Sequence, residues 1–429
     1  MKKPFKKPEP GDKVELIVNR QSHRGILLES HDSSVLLLKL DNGYNIGFKK
    51  SDISEIKLIE KKHEENNKED KRISGKKPLV DLIMTGGTIS SKLDSSTGGV
   101  KWLINSKEFF KIYPEIFNIV DIRIINPFMK ASENMSFKDW ARIAKIVGKS
   151  LNDSQVKGVI ITHGTDFLHY TASALSFMLG KVNKPVVLTY SQRSSDRGSS
   201  DSRMNLVCSA HTALSDIAEV MLVGHANLDD EYCFALQGNK CRKMHSSRRD
   251  AFKPINANPI AKIFPSGKIE ILRNYHKRNK EKVKIDPLYN DKVALVKFYP
   301  GQNPDILDYY VKQGYKGVVI EMSGLGHVLT EGKYNWIPKI KQAIKKGLLI
   351  YAAPQTLFGS LDPYVYSPGR KLEKAGVVFL KDILPETAFV KLGWVLGHKE
   401  WRGTIATKIK MLENINNEYN ERLGTSFFI

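Results

Sequence analysis

Cysteine is scarce in this 429-residue chain: Cys208, Cys233 and Cys241 make an odd three, and no CxxC occurs. A disulfide framework and a thiolate zinc site are thereby excluded as organising devices. The 11 histidines are scattered, with no HExxH motif and no close His/Asp cluster, and no Walker A loop is present. A zincin-type hydrolase and a phosphate-cradling ATP site of its own are therefore not indicated. No run approaches the roughly 20 apolar residues that span a bilayer. The basic start, MKKPFKKPEPGDK, has no apolar segment behind it, so a secretory signal is not expected. A reducing cytoplasm is the simplest compartment.

Negative charge is also in short supply. Lys+Arg number 67 against 46 Asp+Glu, a formal net charge of +21. Such a balance suits an RNA or other polyanionic partner. It equally suits a lysine-rich surface that binds nothing, since no RNP, KH or zinc-knuckle signature accompanies it. A length of 429 with 41% hydrophobic residues predicts two or three folded domains, each with its own core.

Residues 11–59 alternate short β-rich runs (14–18, 25–29, 34–39 and 44–48) with turn chemistry at Asp32-Ser33 and Asp41-Asn42-Gly43. Strands so closely spaced predict a small all-β barrel domain over 1–60. Residues 61–72 hold no apolar side chain and predict a charged linker over 61–77. Beyond it the rhythm becomes strand then helix. Apolar strands at 80–84, 158–162 and 185–190, with a helix over 170–180, outline an α/β domain over 78–275. Strands at 293–298, 317–322, 347–352 and 376–380, with helices over 306–313 and 336–346, outline a second over 290–429. The predicted fold class is α/β, a two-domain core with mostly parallel sheets behind a small barrel.

Two turns at strand ends can carry chemistry. In Thr85-Gly86-Gly87-Thr88-Ile89 the glycines let backbone turn sharply and come close to a ligand. A threonine there can present a nucleophilic hydroxyl, with backbone N–H groups near an oxyanion. Taken alone, such a turn more often only turns. In His163-Gly164-Thr165-Asp166 a hydroxyl sits beside a carboxylate, a pair that can orient a base or merely cap the helix that follows. His163 reads as a local packing or hydrogen-bonding residue. Ligands on parallel sheets bind at the carboxyl ends of the strands, where both turns fall.

TGGTI, SENM, HGTD and a lysine within RKMHSSRRDAF, in that order and at those distances, resemble the asparaginase family of bacterial and archaeal amidohydrolases. The resemblance covers about four-fifths of the chain, from Pro78 onward. It implies that Thr88 is the nucleophile that forms an acyl-enzyme. Thr165, Asp166 and Lys243 would form the relay that activates the attack and protonates departing ammonia, and to accept a proton the lysine must spend part of its time neutral. Ser132 and Glu133 would bind the α-carboxylate and α-ammonium of the amino acid, with Gly87 as a further substrate-contacting position. The implied mechanism needs no metal and no organic cofactor. One departure stands out: free asparaginases usually carry a tyrosine on the mobile loop after the nucleophile, and residues 89–104 contain none.

The added N-terminal domain, and the stretches Ser191–Arg197, Ser200-Asp201 and Arg242–Phe252, resemble the GatD family of archaeal Glu-tRNA(Gln) amidotransferases. That family implies a glutaminase/asparaginase-type subunit releasing ammonia for conversion of Glu-tRNA(Gln) to Gln-tRNA(Gln). It further implies a partner, GatE, that holds ATP and Mg2+ and most of the tRNA contact, a homodimeric core and a D2E2 heterotetramer. A free cytoplasmic L-asparaginase and a non-catalytic tRNA-binding scaffold are the alternatives. The choice between glutamine and asparagine turns on about one methylene of pocket length, roughly 1–3 kcal/mol.

Overall fold

The structure, a computed structural model, describes residues 8–28, 30, 32–40, 45–61, 75–93, 100–102, 112–194 and 199–424, without the side chains of 91–93 and 100–102. Most of the predicted linker, residues 62–74, lies outside the described residues.

The N-terminal unit is a five-stranded antiparallel sheet in the order β4-β3-β2-β1-β5. Its strands are β1 (Lys13–Val18), β2 (Gln21–Leu28), β3 (Val35–Leu40), β4 (Asn45–Lys49) and β5 (Ile53–Glu60). Strict alternation buries Val14, Leu16 and Val18 of β1 against Leu27, Leu36 and Leu38. Two features differ from expectation. Strand β2 starts four residues earlier than the sequence suggested, because Asn19 and Arg20 both take positive φ (49° and 67°) and make the two-residue hairpin that pairs Val18 with Gln21. Strand β5 was not foreseen, since all but Ile53 of its residues face solvent and no buried face marks it. No pairing joins β4 to β5 among the described residues, so the ladder stays open there.

The next unit is built on an eight-stranded sheet in the order β17-β16-β13-β12-β11-β10-β6-β9. Its parallel strands are β6 (Leu79–Met84), β9 (Asp121–Ile125), β10 (Val156–Thr162), β11 (Val186–Thr189) and β12 (Val220–His225). The strands β13 (Cys233–Gln237), β16 (Ala261–Ile263) and β17 (Ile269–Ile271) continue it antiparallel. Two-stranded ribbons lie outside it: β7 (Ser91–Leu93) with β8 (Val100–Trp102), and β14 (Cys241–Lys243) with β15 (Phe252–Pro254). Alternate strand residues feed opposite cores. Leu82, Ile160, Val187 and Met221 enter one, while Ile83, Ile161, Leu188 and Leu222 enter the other. A sheet buried on both faces needs such continuous apolar strands. The helices α1 (Phe137–Asn152) and α2 (Leu168–Leu179) cover one face and α3 (Ser202–Leu214) the other.

The chain runs outward from β6 to β9 and then returns past β6 to β10, so direction reverses between β6 and β10. Parallel strands ordered this way leave a crevice at the carboxyl ends flanking the reversal.

The last unit is a four-stranded parallel sheet, β18 (Val293–Lys297), β19 (Gly317–Met322), β20 (Leu349–Pro354) and β21 (Val378–Phe379). The helices α4 (Ile306–Lys312), α5 (Trp336–Lys345), α6 (Ser367–Lys374), α7 (Pro385–Gly397) and α8 (Thr404–Leu412) accompany it. The apolar helix α7 packs on α2, with Phe177 and Trp394 stacked at 5.8 Å, so one core runs through both α/β units. Among the described residues no helix is long and apolar enough to cross a membrane.

Candidate active site

Parallel register pairs Met84 with Thr162, so the TGGT turn after β6 and the HGTD turn after β10 leave the sheet side by side. Backbone contact then locks them together. Thr85 donates to the Thr162 carbonyl through its N–H (3.2 Å) and its hydroxyl (2.7 Å). The hydroxyls of Ser90 and Thr162 meet at 2.7 Å. Gly87 has φ +84°, and a Cβ built there would lie 2.4 Å from the His163 oxygen. Only glycine lets the turn carrying Thr88 lie flush against the turn carrying Thr165. Thr88 opens a short 3-10 turn (Thr88–Ser90) and is half-buried.

The SENM segment closes a third side. A Cβ on Gly86 would strike the Lys130 oxygen at 2.1 Å, and Lys130 N–H donates to the Thr85 carbonyl (2.9 Å). Lys130 also pairs with Asp139 (2.7 Å), whose carboxylate accepts the Ser136 N–H (2.8 Å) at the start of α1. Residues 130–136 are thus pinned between the TGGT turn and a helix terminus. Ser132 is buried and accepts the Phe167 N–H (3.3 Å), which ties SENM to the residue after Asp166; Glu133 is exposed beside it. A cavity of about 310 Å³ adjoins this corner, walled by Ser132, Glu133, Phe137, Trp140, Tyr170 and Tyr289 among others.

Lys243 comes from the separate ribbon β14–β15 and reaches the HGTD turn. Its Nζ donates to Thr165 Oγ1 (2.8 Å) and to Asp166 Oδ1 (2.7 Å). The ammonium end is largely shielded while the Asp166 carboxylate is 61% exposed. Because Thr165 Oγ1 accepts from the lysine, its own hydrogen is available to a third group.

His163 is fully buried. Its Nδ1 lies 2.7 Å from the Gly164 carbonyl, which can only accept, so Nδ1 carries the hydrogen and Nε2 accepts from the Thr171 hydroxyl (2.8 Å). Burial lowers its pKa to about 4, leaving a neutral ring that braces the turn.

The structure therefore gathers Gly87, Thr88, Ser132, Glu133, Thr165, Asp166 and Lys243 at the crevice between β6 and β10. Sequence reasoning did not find Ser90, Thr162, Lys130 or Asp139, which hold the turns in place. Ser90 stood two residues after Thr88, but nothing in the sequence pointed it toward β10. Of the loop that lacks a tyrosine, residues 94–99 and 103–104 lie outside the described residues. The Tyr113 hydroxyl, from beyond that loop, donates to the Ile89 carbonyl (3.1 Å).

Comparison with known proteins agrees with this geometry. Residues 79–277 match the family described as Asparaginase, N-terminal, and residues 292–407 the Glutaminase/Asparaginase C-terminal domain. Residues 8–59 match the GatD N-terminal domain. The chain is 47% identical over 399 residues to the glutamyl-tRNA(Gln) amidotransferase GatD of Pyrococcus furiosus, covering 91% of this chain and 88% of that one. It is 46% identical over 401 residues to the GatD of Thermococcus kodakarensis, covering 91% and 90%. Among solved structures, the thermostable L-asparaginase from Thermococcus kodakarensis superposes with a TM-score of 0.71 at 26% identity, covering 80% of this chain and 100% of that one. With the asparaginase fold, its residue constellation and the additional N-terminal domain all present, the chain belongs to the GatD family of glutamyl-tRNA(Gln) amidotransferases.

Proposed function

We propose that this chain hydrolyses the side-chain amide of glutamine, with asparagine as a second substrate, and delivers the ammonia to a partner. The observation that carries the reading is the contact of Lys243 with both Thr165 and Asp166 beside the turn that holds Thr88. In this reading the Thr88 hydroxyl attacks the amide carbon while its proton passes to Thr165 and the Thr165 hydrogen to Lys243 Nζ, which must be unprotonated at that step, with Asp166 holding the lysine in place. Collapse of the tetrahedral intermediate breaks the C–N bond, and the relay returns the proton to the departing ammonia. Water then hydrolyses the acyl-threonine ester, giving glutamate and restoring the hydroxyl. Ser132 and Glu133 hold the amino-acid end of the substrate, and Gly87 allows its close approach.

Side chains and backbone supply all of this chemistry, so the reading asks for no metal or organic cofactor in this chain. ATP and Mg2+ would be bound by GatE, which would also carry most of the contact with Glu-tRNA(Gln) in a cytoplasmic D2E2 complex. The GatD relatives support this assignment over a free asparaginase. The exposed carboxylates of Asp166 and Glu133 leave a rim for a partner to cover.

The test is ammonia release from glutamine by the chain alone, then with GatE, ATP and Glu-tRNA(Gln), with Thr88→Ala as control. Activity that is low alone, rises with the full system and vanishes in the variant supports the proposal. Brisk hydrolysis of asparagine by the chain alone, indifferent to the tRNA system, would make it a free asparaginase. Strong tRNA binding without any hydrolysis would make it a scaffold.

A further inference from the structure

Lys243 is the one catalytic candidate that the parallel strands do not themselves supply, and the ribbon that carries it is held from behind. Along a strand alternate side chains point to opposite sides. Backbone bonds extend the β14–β15 ladder by one residue at each end, Ile255 N–H to Lys240 O (2.9 Å) and Met244 N–H to Ala251 O (2.7 Å). Lys240 and Arg242 therefore share one face, and Lys243 takes the other, toward Thr165 and Asp166.

The face opposite Lys243 meets the entry to α7, in the C-terminal unit. Lys240 Nζ donates to Asp382 Oδ2 (2.8 Å), a pair almost wholly withdrawn from water. Arg242 Nη1 donates to Glu386 Oε2 (3.3 Å); Glu386 is buried and Arg242 is half-buried. The Thr387 hydroxyl donates to the Asn239 carbonyl (2.9 Å). Asp382 is itself fixed by the N–H (2.8 Å) and side-chain amide (2.7 Å) of Asn420. The other Glu386 oxygen faces the His169 ring at 3.6 Å, and burial keeps that ring neutral, with its pKa near 3. Arg242 is then the cation that Glu386 holds.

We propose that Asp382 and Glu386 are positioning residues for the amide hydrolysis, a two-rung ionic clamp. By gripping Lys240 and Arg242 they fix the strand in the register that aims Lys243 at Thr165 and Asp166. A buried pair of this kind adds little net stability, because desolvation offsets attraction. The directed hydrogen bonds of Lys240 to Asp382 and of Arg242 to Glu386 do, however, select one register. The inference rests on the catalytic reading of Lys243 given above.

The experiment compares Glu386→Ala, Glu386→Gln, Arg242→Ala and Lys243→Ala in the full chain, measuring kcat and KM for ammonia release and thermal stability. Lys243→Ala tests the catalytic reading itself: full activity there removes that reading and the clamp's purpose together. If Lys243→Ala is inactive, the clamp stands or falls on the others. The expected result is a kcat lowered by about 10- to 100-fold in Glu386→Ala, as for a catalytic group displaced by about 1 Å. KM should change less than about threefold, and Glu386→Gln, which keeps an acceptor for Arg242, should recover most of the rate. Should Glu386→Ala not fold, Arg242→Ala, at the half-open end of the same rung, carries the same readout. A folded Glu386→Ala or Arg242→Ala with kcat within about twofold of the native chain overturns the proposal. So does an equal loss of rate in Glu386→Gln and Glu386→Ala.

Discussion

Replacing Gly87 by alanine tests whether the two turns proposed to be catalytic must touch backbone to backbone. The added Cβ would lie 2.4 Å from the His163 oxygen, 2.5 Å from its carbonyl carbon and 2.6 Å from the Gly164 nitrogen, where ordinary contact begins at 3.4 Å. Both partners are main chain, so no rotamer change relieves the collision. The HGTD side is poorly placed to yield, because His163 N–H is bonded to the Thr189 carbonyl of β11 (3.1 Å). The TGGT turn must then retreat by about 1 Å, taking Thr88 with it. A left-handed conformation costs an L-residue roughly 1–2 kcal/mol, and forced overpacking about 1–3 kcal/mol more. A displacement of about 1 Å at a nucleophile lowers kcat on the order of 100-fold. The control is Gly180→Ala, which has φ +58° and nothing within 4 Å of the new Cβ. It should lose roughly 1–2 kcal/mol of stability and none of its rate. Steady-state ammonia release and thermal unfolding of the two variants decide the matter. A Gly87→Ala chain turning over within about threefold of native would show that the turns need not be in contact.

Three further outcomes are expected. Lys391 and Glu418 form an ion pair with both side chains out of solvent (2.6 Å), and the glutamate also accepts the N–H groups of Ile415 and Asn416. Glu418→Ala removes the carboxylate from a buried ammonium, which keeps the Met411 (2.9 Å) and Glu413 (2.5 Å) carbonyls as acceptors, and should cost about 3–5 kcal/mol in denaturant unfolding; a loss under about 1 kcal/mol would mean that the pair is not buried in solution. His163 and His169 are both held neutral by burial, with pKa values near 4 and 3. The unfolded rings titrate near 6.5, so the unfolded chain binds more protons below that pH. Stability is then full above about pH 6.5 and falls as the pH drops toward 4, by about 1.4 kcal/mol per pH unit for each ring. Unfolding free energies that stay flat from pH 6.5 to 5 would contradict this. Gly86→Ala, whose Cβ would strike the Lys130 carbonyl at 2.1 Å, should weaken substrate binding by displacing Ser132 and Glu133, and an unchanged KM would argue otherwise.

The sequence was most legible where a strand is buried on both faces and bounded by turns. Residues 317–322 read as a strand and form β19, and the helix expected over 306–313 is α4. Strand β5 escaped because its apolar residues Ile56, Leu58 and Ile59 are exposed and follow no buried alternation. β9 escaped because Asp121 and Arg123 interrupt its apolar run; Arg123 is spent on the Asp81 carboxylate of β6 (2.8 Å) and on Asp153 (3.0 Å). The four motifs could be picked out by composition and spacing, yet their convergence comes from the reversal of strand order between β6 and β10, which no local pattern announces. Asp382 and Glu386 were invisible for a related reason: they act on residues about 140 positions earlier, and they are two of 46 acidic side chains.

The clamp also orders events in the life of the chain. Every residue proposed to touch substrate lies between Gly87 and Lys243, so the ribosome completes that set when little more than half of the polypeptide exists. The carboxylates that aim Lys243, and Asn420 which steadies one of them, are among the last to emerge. A nascent or truncated chain ending before Asp382 would carry every proposed catalytic group without the carboxylates proposed to align Lys243.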